Sequence, residues 1–140
     1  MLKRVVLAAI MLPVWAAAQV ATQPSGVGYC DVVVSPADYN GKTMLVEVIL
    51  SPGFHSLFLH GESCAPREGF DVSTEAVLPH SWPSLPNGKK LRALLKNGRD
   101  AKVSVVGFFE GGGEKRYGLD GQRFRFSISE IRSVSKVNER

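Results

Sequence analysis

The alternation of apolar and polar residues predicts that most of this chain forms β-strands. The clearest case is "TMLVEVIL", residues 43–50. A period of two is typical of a strand with one buried face. That face carries Met44, Val46, Val48 and Leu50. After the turn "SPGF", the segment "HSLFLHG" predicts the returning strand of a hairpin.

Three later segments also favour strands. They are "FDVSTEAVLP" (70–79), "AKVSVVGFF" (101–109) and "RFRFSISEIRSV" (123–134). In the last of them, alternation directs Phe124, Phe126 and Ile128 inward and leaves Arg123 and Arg125 outward.

One segment predicts a helix. In "NGKKLRALLKNGRD" (87–100), leucines recur at the spacing of a narrow apolar stripe, at positions 91, 94 and 95. Asn87 is expected to cap the helix and Gly98 to end it. Near the N-terminus, "CDVVVSPADYNGK" is ambiguous, because its valines suit a strand whereas Ser35-Pro36 suits the start of a helical turn.

The predicted order of elements is strand, strand, strand, helix, strand, strand. This order is typical of a mainly β protein built as a five-stranded OB-like Greek-key barrel, with one helix between strands 3 and 4 and a short N-terminal helical turn. A meander sandwich is the competing architecture, but it gives the helix no role. A closed barrel also removes the exposed strand edges that promote aggregation.

The first 18 residues have the layout of a secretory signal peptide: a basic start, an apolar run and the small residues "AAA". The apolar run, from Val5 to Trp15, is shorter than the roughly 20 residues that span a bilayer. We therefore predict a signal peptide at 1–18, a flexible N-terminal segment at 19–28 and a barrel domain at 29–137. The expected location is the periplasm or the exterior, with no membrane span.

Charge is distributed unevenly along the chain. Residues 19–79 carry seven acidic and two basic side chains, whereas residues 80–140 carry six acidic and 13 basic ones. Two interpretations follow: the basic half forms an anion-binding surface, or the two halves attract each other within one folded domain.

The chain has two cysteines. An even number in a small exported domain predicts a disulfide, here Cys30–Cys64. The alternative is a metal site or a thiol-based active site centred on His55, His60 and Cys64. Against a metal, the odd separation of the histidines places them on opposite faces of a strand, and zinc commonly takes three or four protein ligands. Against a nucleophile, a disulfide removes the thiolate. No metal and no cofactor is therefore expected.

The loop "GGGEKRYG" is the candidate ligand site. It carries Lys115, Arg116 and Tyr117, and the adjoining strand adds Arg123 and Arg125. Arginine binds carboxylate and phosphate groups well, and tyrosine stacks on a sugar ring or a peptide. These five residues predict an anionic glycan or peptide as ligand. The alternative is a flexible loop whose charges only keep the protein in solution.

Other candidate surfaces are weaker. OB-folds bind ligands on the face of strands 2 and 3, which here offers Phe58 and His60 but little positive charge, so no nucleic acid is expected. Trp82 beside His80 is either a contact patch or a plug beneath the helix. The basic helix at 87–100 suits an anionic membrane surface, but its leucines are needed to dock on the barrel.

Several of these segments together resemble an uncharacterised family of small exported bacterial OB-fold-like proteins. The resemblance rests on "CDVVVSPADYNGKTMLVEVIL", on Cys64 after the second strand, and on "AKVSVVGFF" and "YG" before the last strand. It implies the OB-like fold, the Cys30–Cys64 pair and a short helix at residues 30–39. It implies no catalytic or binding residue.

No catalytic constellation stands out in the sequence. The prediction is therefore an exported, non-enzymatic binding or interaction module whose partner is an unidentified ligand or an envelope protein. One alternative is a metal- or thiol-dependent enzyme centred on the His55, His60 and Cys64 group. The other is a structural envelope-stress component that takes no small ligand.

Overall fold

The computed structural model describes residues 24–64 and 71–138. The predicted signal peptide and the first residues of the predicted flexible segment lie outside these ranges. The strands are β1 (Gly26–Val27), β2 (Thr43–Pro52), β3 (Leu57–His60), β4 (Thr74–Val77), β5 (Ala101–Glu110) and β6 (Phe124–Lys136). The α-helices are α1 (Tyr29–Val34), α2 (Pro36–Tyr39) and α3 (Gly88–Lys96), and a 3₁₀ helix covers Trp82–Ser84.

Five strands close into a barrel. Antiparallel pairs join β2 to β3, β3 to β4 and β5 to β6, a parallel pair joins β4 to β6, and β5 pairs with β2 to complete the ring. The helix α3 connects the third and fourth barrel strands, β4 and β5. The predicted OB-like barrel is confirmed, including its helix between strands 3 and 4.

The sixth strand, β1, was not predicted. Gly26 and Val27 pair in parallel with Leu45 and Val46 of β2, so the end of the predicted flexible segment lies against the barrel. The ambiguous segment that follows is helical, as α1 and α2. The resemblance implied a helix there, and Pro36 begins α2.

The core consists of the inward faces of the strands and one face of each longer helix. The alternating residues of β2 are buried as predicted, and the largest side chains with no exposure are Phe109, Phe124 and Phe126. Tyr29, Val32 and Val33 of α1 and Leu91 and Leu94 of α3 belong to the same cluster. Burial of these apolar side chains is the main force that stabilises the barrel.

Strand β6 departs from simple alternation. Its pairing with β5 shifts between Ser104 and Val105 and again between Val106 and Gly107, which marks two β-bulges or irregularities. Each extra residue moves the inward position, so that Ile131 and Val134 are buried after Ile128. Without these shifts, alternation would have directed Glu130 and Arg132 into the core.

One end of α3 differs from the prediction. Asn87 occupies the N-cap position but has φ 65° and makes no side-chain capping bond. Its Nδ2 instead donates to the carbonyl oxygens of Ile131 and Arg132, both at 3.0 Å, and so ties the helix to β6. The predicted end is confirmed: Gly98 has φ 69°, and its N–H donates to the carbonyl of Leu95.

Cys30 and Cys64 have the geometry of a disulfide, with Cα atoms 5.4 Å apart. The pair joins α1 to the segment that follows β3. Gly61 lies directly against the two sulfurs, since a Cβ there would fall 2.6 Å from Cys64 Sγ and 2.9 Å from Cys30 Sγ. Among the residues described, no helix is both long enough and apolar enough to cross a bilayer.

Candidate functional site

Ion pairs connect the acidic and basic halves of the chain. The described residues form five ion pairs, and four of them join a carboxylate before residue 80 to a base after it. These four are Lys102–Glu47, Lys102–Glu62, Arg116–Asp71 and Arg125–Glu75, with N–O distances of 3.0, 3.0, 3.1 and 2.9 Å. Part of the uneven charge is therefore neutralised by ion pairs between the acidic half and the basic half of the chain.

The predicted ligand loop folds onto the barrel. Tyr117 is only 7 % exposed. Two cations approach its ring, with Lys115 Nζ 5.3 Å and Arg125 Cζ 5.0 Å from the ring centroid. Arg125 also donates to Glu75 on the neighbouring strand β4 at 2.9 Å. Tyr117 and Arg125 thus hold the loop against β4.

Hydrogen bonds fix the loop at several further points. The backbones of Tyr117 and Gln122 bond to each other in both directions, at 2.8 and 2.7 Å. Ser56, in the turn between β2 and β3, donates to Asp120 at 2.6 Å. Gly118 has φ 69°, a conformation that favours glycine, and a Cβ there would lie 2.6 Å from Glu75 Oε1. The described loop is a folded structure despite its glycines.

The structure does not gather the five predicted residues into a free cationic cluster. Arg116, Tyr117 and Arg125 make the internal contacts given above. Lys115 and Arg123 form no ion pair with any described carboxylate, and the Arg123 guanidinium lies 5.7 Å from the Phe124 ring. Binding of an anionic ligand by these residues stays a prediction.

A cleft opens beside this loop, where β3 and β4 separate. Their ladder has two residue pairs, Leu57–Ala76 and Phe58–Glu75. Beyond these pairs lies a cleft of about 370 Å³. Its lining is Phe58, Leu59 and His60 from β3 and Asp71, Val72, Ser73 and Thr74 from the opposite side.

Hydrogen bonds hold the far wall of the cleft away from β3. The Ser73 carbonyl accepts from the Phe124 N–H at 3.0 Å, and the Ser73 hydroxyl accepts from the Arg123 N–H at 3.2 Å. Thr74 is buried, and its hydroxyl bonds to the Val72 carbonyl and to the Tyr29 hydroxyl. The polar groups of this wall therefore form hydrogen bonds with β6, with the residue before it and with α1.

The walls of the cleft combine an apolar floor with a polar rim. Leu59 and Val72 are buried beneath it, and Phe58 is half-buried on the outward face of β3. At the rim, His60 Nε2 lies 3.2 Å from the Ser51 hydroxyl, and the Asp71 carboxylate accepts from Arg116 at 3.1 Å. The cleft therefore offers apolar contact with a few oriented polar groups, as ligand pockets commonly do.

Asp71 is held in its charged form. Hydrogen bonds from the side chain and backbone of Ser73, followed by the Arg116 guanidinium, lower the pKa of the Asp71 carboxyl. Partial burial raises this pKa by less than the Ser73 hydrogen bonds lower it, and each Arg116 contribution is smaller still. At neutral pH the rim of the cleft therefore carries a carboxylate paired with Arg116.

This pKa shift predicts a pH-dependent effect of Asp71→Ala. Because the folded-state pKa is lowered, the stabilisation by the carboxylate is present above the ordinary aspartate pKa of about 3.9 and is lost as the pH falls through the folded value. We expect wild type to exceed the variant in unfolding free energy by less than about 1 kcal/mol at pH 7, since the pair is largely exposed. The difference should shrink towards pH 2.

Urea unfolding across this pH range measures the effect, with Glu114→Ala as control. Glu114 is exposed in the loop and forms no ion pair in the described part of the chain. A gap between wild type and Asp71→Ala that widens in acid would contradict the assignment.

The alternative metal or thiol site is not assembled. His55 is exposed in the turn before β3, and its ring contacts Phe54. His60 lies beside Ser51, and Cys64 is paired with Cys30. Within residues 24–64 and 71–138, no group of three or more His, Cys, Asp or Glu side chains could hold a metal ion. Trp82, the other candidate, packs against the core, whereas His80 is exposed.

The sequence indicated half of this cleft. Phe58 and His60 were expected on the ligand-binding face, but Asp71 to Ser73 were predicted as part of a strand, whereas β4 begins at Thr74. A local signal was present: in Asp71-Val72-Ser73 the Ser73 N–H donates to the Asp71 carboxylate at 2.9 Å. Aspartate two residues before its donor is typical of an Asx turn, which competes with strand pairing.

Comparison of the chain with protein-family models, curated proteins and solved structures gives no match.

Proposed function

We propose that the protein is an exported, non-enzymatic binding module that holds an extended peptide in the cleft between β3 and residues 71–74. The observation that carries the proposal is the early end of the β3–β4 ladder, beside a cleft of about 370 Å³. Strands β3 and β4 are the second and third strands of the barrel, and OB-folds bind ligands on the face of those two strands.

The chemistry of the cleft favours a peptide over an anionic glycan. There β3 and residues 71–74 face each other, but strand pairing between β3 and β4 ends at the Phe58–Glu75 pair. An extended peptide can add to such a separated edge through its backbone while its side chains contact the apolar floor. The lining residues include the Asp71 carboxylate, which is paired with Arg116, and no lysine or arginine, which favours amide groups over anionic ones.

Two exposed apolar side chains lie on loops at the opposite end of the β3–β4 ladder from the cleft. Phe54 in the β2–β3 turn is 95 % exposed, and Leu119 in the loop between β5 and β6 is 85 % exposed. The Ser56–Asp120 hydrogen bond joins these two loops. Loops at these positions flank the ligand in OB-folds, so a peptide long enough to cross the β3–β4 ladder would meet Phe54 or Leu119.

Export is supported by the leader sequence and by the cysteine pair. A basic start, an apolar run and small residues are typical of a secretory signal peptide. Disulfides persist mainly in oxidising compartments such as the periplasm or the cell exterior. The periplasm or the exterior is therefore the proposed site of action.

The test is selection of a random twelve-residue peptide library on the folded protein, followed by affinity measurement on two variants. Phe58→Ala removes the aromatic wall of the cleft, and we expect it to weaken binding of the enriched peptides at least tenfold. Phe108→Ala is the matched control, because Phe108 is an outward-facing aromatic on β5, 40 % exposed and outside the cleft lining. Its effect should stay below twofold.

Circular dichroism melting verifies that both variants are folded before affinities are compared. Enrichment of no peptide, or equal losses in the two variants, would contradict the proposed function.

A further inference from the structure

The helix α3 and the residues after it carry five cations that the fold does not use in ion pairs. Lys89, Lys90, Arg92, Lys96 and Arg99 are all exposed. None of them forms an ion pair with a carboxylate of the described residues. In the same half of the chain, Lys102, Arg116 and Arg125 are paired with acidic residues of the first half. The largest group of cations without an ion pair among the described residues therefore lies on α3 and just after it.

These cations lie on the side of α3 that faces away from the barrel. Leu91 and Leu94 are buried in the core, which fixes the orientation of the helix. Lys89, Arg92 and Lys96 follow one another at spacings of three and four residues, so they share one ridge on the outward side. With a rise of 1.5 Å per residue, this ridge is about 10 Å long.

An open depression continues the cationic surface at the C-terminal end of α3. It has a volume of about 620 Å³ and is lined by Gly98, Arg99, Asp100, Lys136, Val137 and Asn138. Lys136 pairs with Ala101 at the edge of the barrel and is exposed. The lining includes one carboxylate, Asp100, and two cations, Arg99 and Lys136. A chain of negative charges following the ridge would therefore meet two more cations in the depression.

We propose that α3 and this depression form a binding surface for a linear anionic polysaccharide. The surface lies on elements other than β3 and residues 71–74, so the inference does not depend on the peptide cleft. A row of cations without a deep pocket is suited to a repeating anion, which it attracts through many weak contacts and the release of bound counterions.

The composition of the surface disfavours two other anionic partners. Helices that bind membranes insert an apolar face, but here Leu91 and Leu94 are buried and Leu95 is packed against the core. Single-stranded nucleic acid is held by stacking on aromatic side chains, and neither the outward side of α3 nor the depression's lining includes an aromatic residue. A polymer recognised by charge alone fits best.

Heparin serves as the probe. The variant Lys89→Ala/Arg92→Ala/Lys96→Ala removes the ridge, and alanine preserves helix propensity. We expect its affinity for fluorescein-labelled heparin in 50 mM salt to fall at least tenfold, and the dependence of affinity on salt to become less steep. The control variant Ser35→Glu/Lys42→Glu lowers the net charge by the same three units at two exposed positions away from α3 and from the loop at 111–121, and it should lose less than threefold.

Equal losses in the two variants would overturn the proposal, because binding would then follow net charge. Phosphatidylserine vesicles and a twenty-residue thymidine oligonucleotide are tested in parallel. If either binds more tightly than heparin and the ridge variant loses that binding, the surface belongs to a membrane or to nucleic acid. That result would also overturn the proposal. Melting curves establish that the ridge variant and the control variant are both folded.

Discussion

The substitution Phe126→Ala is expected to lower the free energy of unfolding by about 3–5 kcal/mol. Phe126 has no solvent exposure and lies between two elements of the core. Its ring meets Tyr29 of α1 edge-on, with centroids 6.3 Å apart. On the other side it approaches Gly107 of β5 so closely that a Cβ there would lie 2.3 Å from the ring. Alanine would leave a cavity that neither neighbour can fill.

Urea denaturation measures this loss, and Phe108→Ala again supplies the control. Phe108 lies one residue from Gly107 on β5 but faces outward, so its truncation should cost less than about 1 kcal/mol. Similar losses for the two phenylalanines would show that the inward and outward faces of the barrel have been assigned incorrectly.

Replacement of both cysteines, Cys30→Ala with Cys64→Ala, is expected to lower the unfolding free energy by up to about 4 kcal/mol. The pair closes a loop between residues 34 positions apart, and a cross-link of this span restricts the unfolded chain by about that amount. The pair also fixes α1, whose Tyr29 packs on Phe126, to the end of β3. Both effects stabilise the same side of the barrel.

The corresponding control is wild-type protein unfolded in urea with and without a reductant. Reduction should reproduce most of the loss in the double variant, and thiol titration of unreduced, denatured protein should find no free thiol. Two titratable thiols, or a midpoint insensitive to reductant, would contradict the pairing.

Local patterns predicted the elements with strong periodicity. In strand β2 every inward residue from Met44 to Leu50 is buried, although Ile49 on the other face is buried as well. Gly98 ends α3 because glycine readily adopts the left-handed conformation required there. The order of these elements sufficed to predict the barrel, since few topologies accommodate a single helix between the third and fourth strands.

Long-range pairing determined what the sequence left open. The bulges of β6 depend on how its residues pair with β5. The sequence did contain one sign of them, because the spacing of apolar residues changes from two to three after Ile128. Asn87 was expected to cap α3, but the approach of β6 offers its amide two carbonyl acceptors. The partners of Arg116 and Arg125 lie 45 and 50 residues away, so no local pattern could show that these side chains are paired.

The same limit applies to the candidate sites. The sequence identified the residue types of the loop at 111–121 correctly as cationic and aromatic. In the fold, Arg116 pairs with Asp71 and Arg125 pairs with Glu75. The larger group of unpaired cations among the described residues lies on α3 and just after it. Which cations remain available to a ligand depends on the carboxylates that the barrel brings near them, and this was not evident from spacing.

The most direct test of the peptide cleft is a map of backbone amide chemical-shift changes as an enriched twelve-residue peptide is titrated into the labelled protein. The proposal predicts the largest changes at Leu59 and His60 on one wall and at Val72 and Ser73 on the other. Changes concentrated on α3 or on the outer face of β5, with these four amides unaffected, would contradict it.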